Sequence, residues 1–250
     1  MKKRALIGLL LCLAVCFAGC SNKKGIPPDN DNTSENSFET IMSGAESEMQ
    51  TNENHSDSYM VNTQISDVIS DPAFGNFGRL IFPVNSGYYS GDTLGELGLT
   101  WYSHIDPDKT VEIVNSMCER AAAGEIIFYD IYTEAEKQSN AAKRDAGLFF
   151  FKGDPRAKFA ICNAGGGFAY VGAMHDSFPH ALELSKKGYN AFALIYRPGV
   201  QTACEDLARA IAFLFEYAEE LEVDTGCYSL WGGSAGGRMT ACLSSYGTEA

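Results

Sequence analysis

The chain has 250 residues, of which 45% are apolar and 12% aromatic, and its formal net charge is −13. This composition is sufficient for one sizeable domain with a buried core, and it excludes a chain that is disordered throughout. The excess of acidic residues argues against nucleic acids and anionic surfaces as partners, because both attract basic proteins.

The first 20 residues have the composition of a signal peptide. A basic start at residues 2–4 is followed by an apolar run at residues 5–18 and by a small residue before Cys20. This pattern resembles a bacterial lipoprotein signal over residues 1–19, with cleavage before Cys20 and lipid attached to that cysteine. A plain secretory signal and an uncleaved anchor are the alternatives. The apolar run is shorter than a comfortable membrane span.

A lipid on Cys20 would anchor the protein to the cell membrane on its extracytoplasmic side. Removing residues 1–19 takes away three basic residues and no acidic residue, so the mature chain would carry a net charge of −16. Residues 20–65 are rich in Asn, Ser, Asp, Glu and Thr, and they cannot bury enough apolar surface to fold. We expect this segment to be a disordered acidic tether that holds the folded part away from the membrane.

Residues 66–250 are predicted to form the folded domain, and its first clear element is a helix. Asp106 and Pro107 are typical of a helix start. Apolar residues recur at helical spacing over residues 110–123, as far as Gly124, which is typical of a helix end. The sequence therefore predicts a helix that begins and ends at these positions.

Strands and helices alternate in the second half of the chain. A predicted strand pair comes first, and the elements are strands 126–132 and 148–152, strand 158–162, helix 176–187, strand 190–196, helix 202–221, strand 227–231 and a helix after Ser234. Alternation of this kind predicts an α/β fold with a mostly parallel sheet flanked by helices. Two residue pairs at capping-box spacing are expected to begin helices: Thr133 with Glu136, and Thr202 with Glu205.

The motif Gly232-Gly233-Ser234-Ala235-Gly236 directly follows the strand predicted at residues 227–231. A serine on such a strand-to-helix turn exposes its hydroxyl in a cramped backbone conformation. The flanking Gly232 and Gly236 let the strand and the helix approach closely. The motif predicts Ser234 as a nucleophile of acyl transfer.

A second glycine-rich segment, residues 163–168, lies at the carboxyl end of the strand predicted at residues 158–162. Sites of open parallel sheets gather at such strand ends. The N–H groups of Gly166 and Gly167 are free of side-chain screening and can stabilise an oxyanion. A dinucleotide fingerprint is excluded because Tyr170 stands where its third glycine is required, and the chain has no Gly-Lys-Ser or Gly-Lys-Thr of a phosphate loop.

Residues 163–168, the pair Tyr196-Arg197 and residues 232–236 together resemble the α/β-hydrolase superfamily. The most similar branch is that of the esterases and lipases around hormone-sensitive lipase and the bacterial feruloyl or acetyl esterases. The resemblance covers about residues 157–250. It implies the α/β-hydrolase fold, Ser234 as the nucleophile, small-molecule esters as substrates, and neither a cofactor nor a metal.

The resemblance also assigns an oxyanion hole to the N–H groups of Gly166, Gly167 and Ala235. Ala164 stands where these enzymes have a histidine, but backbone donors do not depend on that side chain. The contacts that order the loop must therefore come from another residue, for which Asn163 is an option.

The Asp and His that complete the triad follow the nucleophile in this superfamily. Only sixteen residues follow Ser234, and they contain Glu249 but no histidine. We therefore expect the fold to be incomplete after the nucleophile elbow, and the 250-residue chain alone to be inactive and poorly soluble. All four histidines precede the serine: His55, His104, His175 and His180. Recruitment of His175 or His180 as a substitute base is the less favoured alternative.

Two functional hypotheses remain. The first is an extracytoplasmic, membrane-anchored serine hydrolase that acts on carboxylic esters through an acyl-enzyme, with peptide substrates left open. The alternative is a truncated or triad-less α/β-hydrolase scaffold without activity, which serves as a surface binding lipoprotein. The sequence predicts no oligomeric state.

Four further residues have structural interpretations. Asp176 is expected to begin a helix. Arg197 is expected to form a structural ion pair or, alternatively, to shape the site. A Cys204–Cys227 disulfide is conceivable in an oxidising compartment but does not follow from the spacing. The cysteines of the folded part lack the spacing of metal ligands, so no metal is expected.

Overall fold

The computed structural model describes residues 17–20, 58–82, 87–100 and 105–247, the first of these ranges by its main chain alone. The strands are β1 (Phe17–Cys20), β2 (Tyr89–Ser90), β3 (Gly98–Leu99), β4 (Phe128–Asp130), β5 (Gly147–Phe151), β6 (Lys158–Asn163), β7 (Asn190–Ile195) and β8 (Asp224–Gly232). The α-helices are α1 (Ile65–Ile69), α2 (Pro107–Ala122), α3 (Glu134–Ser139), α4 (Ser177–Ser185), α5 (Val200–Glu216) and α6 (Ser234–Tyr246). Short 3-10 helices cover Pro72–Leu80, Ala141–Asp145 and Ala173–His175.

Six strands form one sheet in the order β1-β8-β6-β7-β5-β4, and β2 pairs with β3 separately. Strand β6 is parallel to both β7 and β8, whereas β5 is antiparallel to both β7 and β4. Strands β4, β6, β7 and β8 therefore run in one direction, which confirms the predicted mostly parallel sheet with flanking helices. The reversed β5 was not predicted, because a continuous apolar run reads alike in either direction.

Aromatic side chains cover both faces of this sheet. On one face, the ring of Phe149 in β5 lies 5.0 Å from that of Phe178 in α4. On the other face, the ring of Phe150 stacks on Phe192 of β7 at 4.5 Å. Successive residues of a strand point to opposite faces, so neighbours in β5 contribute to two separate packing layers. The sheet is thus buried on both sides at β5 and β7.

Side chains cap the starts of two of the described α-helices, α2 and α3. The Asp106 side chain accepts hydrogen bonds from the first turn of α2, and Pro107 is the first helical residue, as predicted. The capping box of Thr133 and Glu136 is also present. The second predicted cap is wrong, because α5 begins at Val200 and the Thr202 hydroxyl donates to a preceding carbonyl oxygen. A threonine inside the first turn can bond backward in this way instead of capping.

The folded part begins earlier than residue 66. Tyr59 is buried, its N–H donates to Asn115 Oδ1 at 2.8 Å, and Asn115 Nδ2 donates to its carbonyl oxygen at 3.0 Å. Residues 58–65 therefore belong to the domain and not to the predicted tether. Residues 21–57 of that tether and residues 1–16 of the predicted signal lie outside the described residues.

Strand β1 lies antiparallel along the outer edge of β8 and pairs Phe17 with Leu230 and Cys20 with Cys227. The predicted cleavage before Cys20 would remove three of its four residues. Within β8 itself, only Leu230 is fully buried. This strand is therefore less covered than β6 and β7, which are buried almost along their whole length.

The described helices and side chains also bear on membrane and metal binding. None of these helices has the length and apolar character needed to cross a bilayer, and no three His, Cys, Asp or Glu side chains of the described ranges converge on a metal-sized site. No disulfide joins any two of the five cysteines within residues 105–247. Cys204 instead contacts Cys242 of α6, and burial raises the pKa of the Cys204 thiol to about 11.

Arg197 forms a buried ion pair beneath the sheet edge. Its Nη2 lies 2.7 Å and its Nε 2.9 Å from Oδ1 of Asp206, whose side chain is fully buried. The Tyr132 hydroxyl donates to the same carboxylate. The hydrogen bonds that the Arg197 guanidinium donates to Asp206 raise the pKa of Arg197 further above its ordinary value. Arg197 therefore links β7 to α5 as a structural residue, which is the first of its two interpretations.

Asp206→Ala is expected to lower the free energy of unfolding by about 3–5 kcal/mol, because it leaves a buried guanidinium without its carboxylate. The control is Arg156→Ala, which breaks a pair with Glu219 whose side chains are 70% and 79% exposed. That change should cost less than about 1 kcal/mol. Urea unfolding followed by circular dichroism measures both, and similarly small losses would contradict a structural role for the buried pair.

Candidate active site

Ser234 lies at the turn between β8 and α6. Its φ of 48° is in the left-handed region, and its side chain is exposed. This conformation costs a non-glycine residue about 1–2 kcal/mol, so the surrounding packing must hold it in place. Such strain is characteristic of the strand-to-helix turn that presents a nucleophilic serine. The hydroxyl therefore faces solvent at the carboxyl end of β8.

Two glycines allow this turn to form. A Cβ at Gly236 would overlap the carbonyl oxygen of Asn163 at the end of β6, and a Cβ at Gly232 would overlap the backbone of Gly236. Helix α6 thus begins in direct contact with the ends of both strands. This is the close approach for which the sequence requires glycine at both positions.

The glycine loop after β6 lies against the same turn. A Cβ built on Gly165 would be 3.1 Å from the Cβ of Ser234 and 3.4 Å from the carbonyl oxygen of Gly233. Strands β6 and β8 are hydrogen-bonded neighbours, with Asn163 opposite Gly232. The two segments that sequence analysis assigned to one site are therefore adjacent.

The loop presents backbone N–H groups beside the serine. Gly166 and Gly167 have φ angles of 143° and 63°, and their N–H groups donate to no acceptor within the described ranges. Ala235 lies in the first turn of α6, where N–H groups have no partner within the helix and the macrodipole is positive. The N–H groups of the three predicted oxyanion-hole residues are thus not committed to an acceptor within the described ranges.

Two side chains fix the start of the loop. The Tyr196 hydroxyl donates to the carbonyl oxygen of Ala164 at 2.8 Å. Asn163 is 1% exposed, and its Nδ2 donates to the carbonyl oxygen of Trp231 in β8 at 3.0 Å. Asn163 therefore ties the two strand ends together, and the loop itself is held by Tyr196, which sequence analysis had placed in the resemblance without a role.

Sequence analysis missed one contact of this site. Asp176 lies at the N-cap position of α4, where the sequence predicts a helix start, but its side chain accepts no hydrogen bond from that helix. Its Oδ2 accepts a hydrogen bond from the N–H of Gly165 at 2.7 Å instead. No local pattern could indicate this contact, because an Asp before a helix is most often a capping residue.

Neither described histidine is hydrogen-bonded to Ser234. His175 Nδ1 lies 3.0 Å from the Tyr89 hydroxyl, and burial lowers the pKa of this imidazole. The Nδ1–H of His180 donates to the carbonyl oxygen of Asp176 at 2.7 Å, and its interaction with the Asp176 side chain raises its pKa. The described residues therefore supply no hydrogen-bonded base to the serine. Two other histidines lie outside the described ranges: His55 and His104.

Gly236→Ala is expected to lower the free energy of unfolding by at least about 2 kcal/mol, because its Cβ meets a backbone oxygen that cannot move away. Gly237→Ala in the same helical turn is the control, since its Cβ would lie 3.1 Å from the carbonyl oxygen of Gly232. Alanine is also the better helix former by about 1 kcal/mol, which offsets this tight contact. Urea unfolding compares the two, and equal losses would contradict the close approach of α6 to β6.

Comparisons with known proteins identify similar esterases. No family model and no curated protein matches the chain. Similar solved structures include apo esterase 2 of Thermogutta terrifontis, at 28% identity over 39% of this chain and 40% of that chain, with a TM-score of 0.36. Its butyrate-bound form is 27% identical over 39% of this chain and 39% of that chain, with a TM-score of 0.35. Its form phosphorylated by paraoxon is 26% identical over 39% of this chain and 42% of that chain, with a TM-score of 0.34. The chain spans about 40% of the length of these esterases.

The fold rests on the arrangement of the described elements. Parallel strands β7, β6 and β8 are neighbours, a left-handed serine joins β8 to α6, and a glycine loop follows β6 beside that serine. The predicted fold is thereby confirmed: the described part of the chain has the arrangement of an α/β-hydrolase fold, with the serine turn and the glycine loop at neighbouring strand ends.

Proposed function

We propose that the protein is a serine hydrolase that cleaves small-molecule carboxylic esters through an acyl-enzyme on Ser234. The observation that carries the proposal is the strained, exposed serine beside a glycine loop in which the N–H groups of Gly166 and Gly167 have no acceptor in the described part of the chain. An ordinary exposed serine requires neither a left-handed backbone nor a neighbouring loop with uncommitted N–H groups. Together they are the two parts that acyl transfer requires.

In the proposed reaction, Ser234 Oγ attacks the ester carbonyl carbon while a base accepts its proton. The carbonyl oxygen becomes an oxyanion, and the N–H groups of Gly166, Gly167 and Ala235 stabilise it. The alcohol then leaves with a proton, and water releases the acid from the acyl-enzyme. Each well-placed donor contributes about 2.7–4 kcal/mol of transition-state stabilisation in enzymes of this kind.

The proposal requires a histidine that accepts the proton and a carboxylate that orients it. Neither His175 nor His180 is hydrogen-bonded to Ser234, since the contacts of their Nδ1 atoms are with Tyr89 and with the backbone of Asp176. We therefore assign the base to a histidine outside the described residues. No cofactor or metal takes part in this scheme.

A fluorophosphonate probe tests the nucleophile directly, because it phosphonylates only an activated serine. Covalent labelling of the full-length protein is expected, and Ser234→Ala should abolish it. Ser245→Ala, at an exposed serine near the end of the same helix, is the matched control and should be labelled at the rate of the unchanged protein. Mass spectrometry of the adduct locates the label.

Absence of labelling in a folded protein would contradict the proposal, as would labelling that survives Ser234→Ala. The first of these results would favour the second candidate function, a triad-less scaffold that serves as a surface binding lipoprotein. One observation favours that candidate: the Ser234 hydroxyl has no hydrogen-bond partner in the described ranges.

We further propose that the protein acts outside the cytoplasm while anchored to the membrane by lipid on Cys20. The basic start, the apolar run and the cysteine at its end support this location. Cys20→Ser is expected to shift the protein from the membrane fraction to the soluble fraction and to abolish incorporation of a palmitate analogue. Cys16→Ser, four residues earlier, is the control and should change neither result. Membrane retention of Cys20→Ser without lipid would indicate an uncleaved anchor instead.

A further inference from the structure

Asp176 occupies a helix N-cap without capping the helix. Asp at this position normally accepts hydrogen bonds from the first turn and thereby stabilises the helix. At α4 no such bond forms, and the backbone of Asp176 has unusual angles, with φ of −133° and ψ of −80°. The carboxylate makes no hydrogen bond to the backbone N–H groups of the first turn, and its Oδ2 instead accepts from the glycine loop beside Ser234.

The carboxylate lies between the glycine loop and the serine turn. Its Oδ2 accepts the Gly165 N–H at 2.7 Å. The same oxygen would be 2.7 Å from a Cβ built on Gly233, the residue before the nucleophile. Glycine at position 233 therefore leaves the space that the carboxylate fills. A larger residue at position 233 would therefore collide with the Asp176 carboxylate in its observed position.

The N–H groups of the loop differ in whether they have a hydrogen-bond acceptor. The N–H of Gly165 is committed to a carboxylate, in a charge-assisted bond of the stronger kind. The next two N–H groups, of Gly166 and Gly167, have no acceptor within the described ranges. Fixing the first amide restricts the directions that the next peptide planes can take, because only two soft dihedral angles separate one plane from the next.

Two histidines interact electrostatically with the Asp176 carboxylate. The Nδ1 atom of His180 lies 3.6 Å from Oδ1, and the negative charge of Asp176 also favours the protonated form of His175. The Asp176 side chain is 20% exposed. The carboxylate is thus a shared partner of the loop and of His180, and its loss would affect both.

We propose that Asp176 is a positioning residue, which locks the glycine loop against the serine turn and thereby aims the N–H groups of Gly166 and Gly167 at the oxyanion. The role in reactivity rests on the proposed function. The lock itself does not rest on the proposed function. It consists of the hydrogen bond from the Gly165 N–H to Asp176 and of the fit of the carboxylate into the space that Gly233 leaves. Asp176 touches no reacting atom, so its effect is transmitted through the loop.

The lock is tested by amide hydrogen exchange. Asp176→Ala should remove the protection of the Gly165 amide, whereas Asp176→Asn, which keeps an acceptor oxygen, should retain most of it. Gly233→Ala should also remove it, because the new Cβ displaces the carboxylate. Protection of Gly165 that is unchanged in Asp176→Ala would overturn the proposal, whether or not Ser234 reacts.

Fluorophosphonate labelling, expressed per folded molecule, tests the effect on Ser234. Asp176→Ala should slow labelling by roughly tenfold to hundredfold, which is within the effect of one misplaced oxyanion donor. Asp176→Asn should recover most of the rate. The double variant Asp176→Ala/Gly233→Ala should be no slower than Asp176→Ala, since both changes remove the same contact. Additive losses would overturn the proposal.

Asp106→Ala is the matched control, because Asp106 caps α2 in the ordinary way and lies outside the site. It should lower the unfolding midpoint but leave the labelling rate per folded molecule unchanged. Asp176→Ala should leave the unfolding midpoint unchanged and slow labelling per folded molecule. An Asp176→Ala protein that loses stability while labelling at the full rate would show a merely structural residue. An unlabelled parent protein in which Gly165 exchange responds to Asp176→Ala would refute the proposed function and leave the lock in place.

Discussion

The site depends on the contact between Gly236, at the start of α6, and the carbonyl oxygen of Asn163, at the end of β6. No side chain fits between these two backbones. The nucleophile-bearing helix therefore begins at the edge of the sheet where the glycine loop leaves β6, and Ser234 is forced into a left-handed conformation. Adjacency of serine and loop is thus a consequence of parallel pairing between β6 and β8 and of two glycines.

A second constraint is the distribution of hydrogen bonds in the glycine loop. The carbonyl oxygen of Ala164 accepts from Tyr196, and the N–H of Gly165 donates to Asp176. These bonds engage the start of the loop, whereas the N–H groups of Gly166 and Gly167 have no acceptors in the described ranges. Unsatisfied donors at a rigid, partly exposed position are the arrangement that electrostatic stabilisation of an oxyanion requires, since they need no reorganisation during reaction.

What the sequence could predict was local. Asp106 with Pro107, Thr133 with Glu136, and Gly232 with Gly236 each act within a few residues, and the structure bears out these short-range patterns. The antiparallel direction of β5, the packing of Tyr59 on α2 and the bond from Gly165 to Asp176 involve residues distant in sequence or patterns without direction. Thr202 was misread because a hydroxyl in a first turn can bond backward as well as cap.

The central claim is that the Ser234 hydroxyl and the N–H groups of Gly166, Gly167 and Ala235 act on one carbonyl group. A crystal structure of the full-length protein after reaction with a fluorophosphonate tests it most directly. The account predicts phosphorus bonded to Ser234 Oγ, with the phosphoryl oxygen about 3 Å from these backbone nitrogens. A phosphoryl oxygen that points away from the glycine loop, or an adduct on another residue, would contradict it.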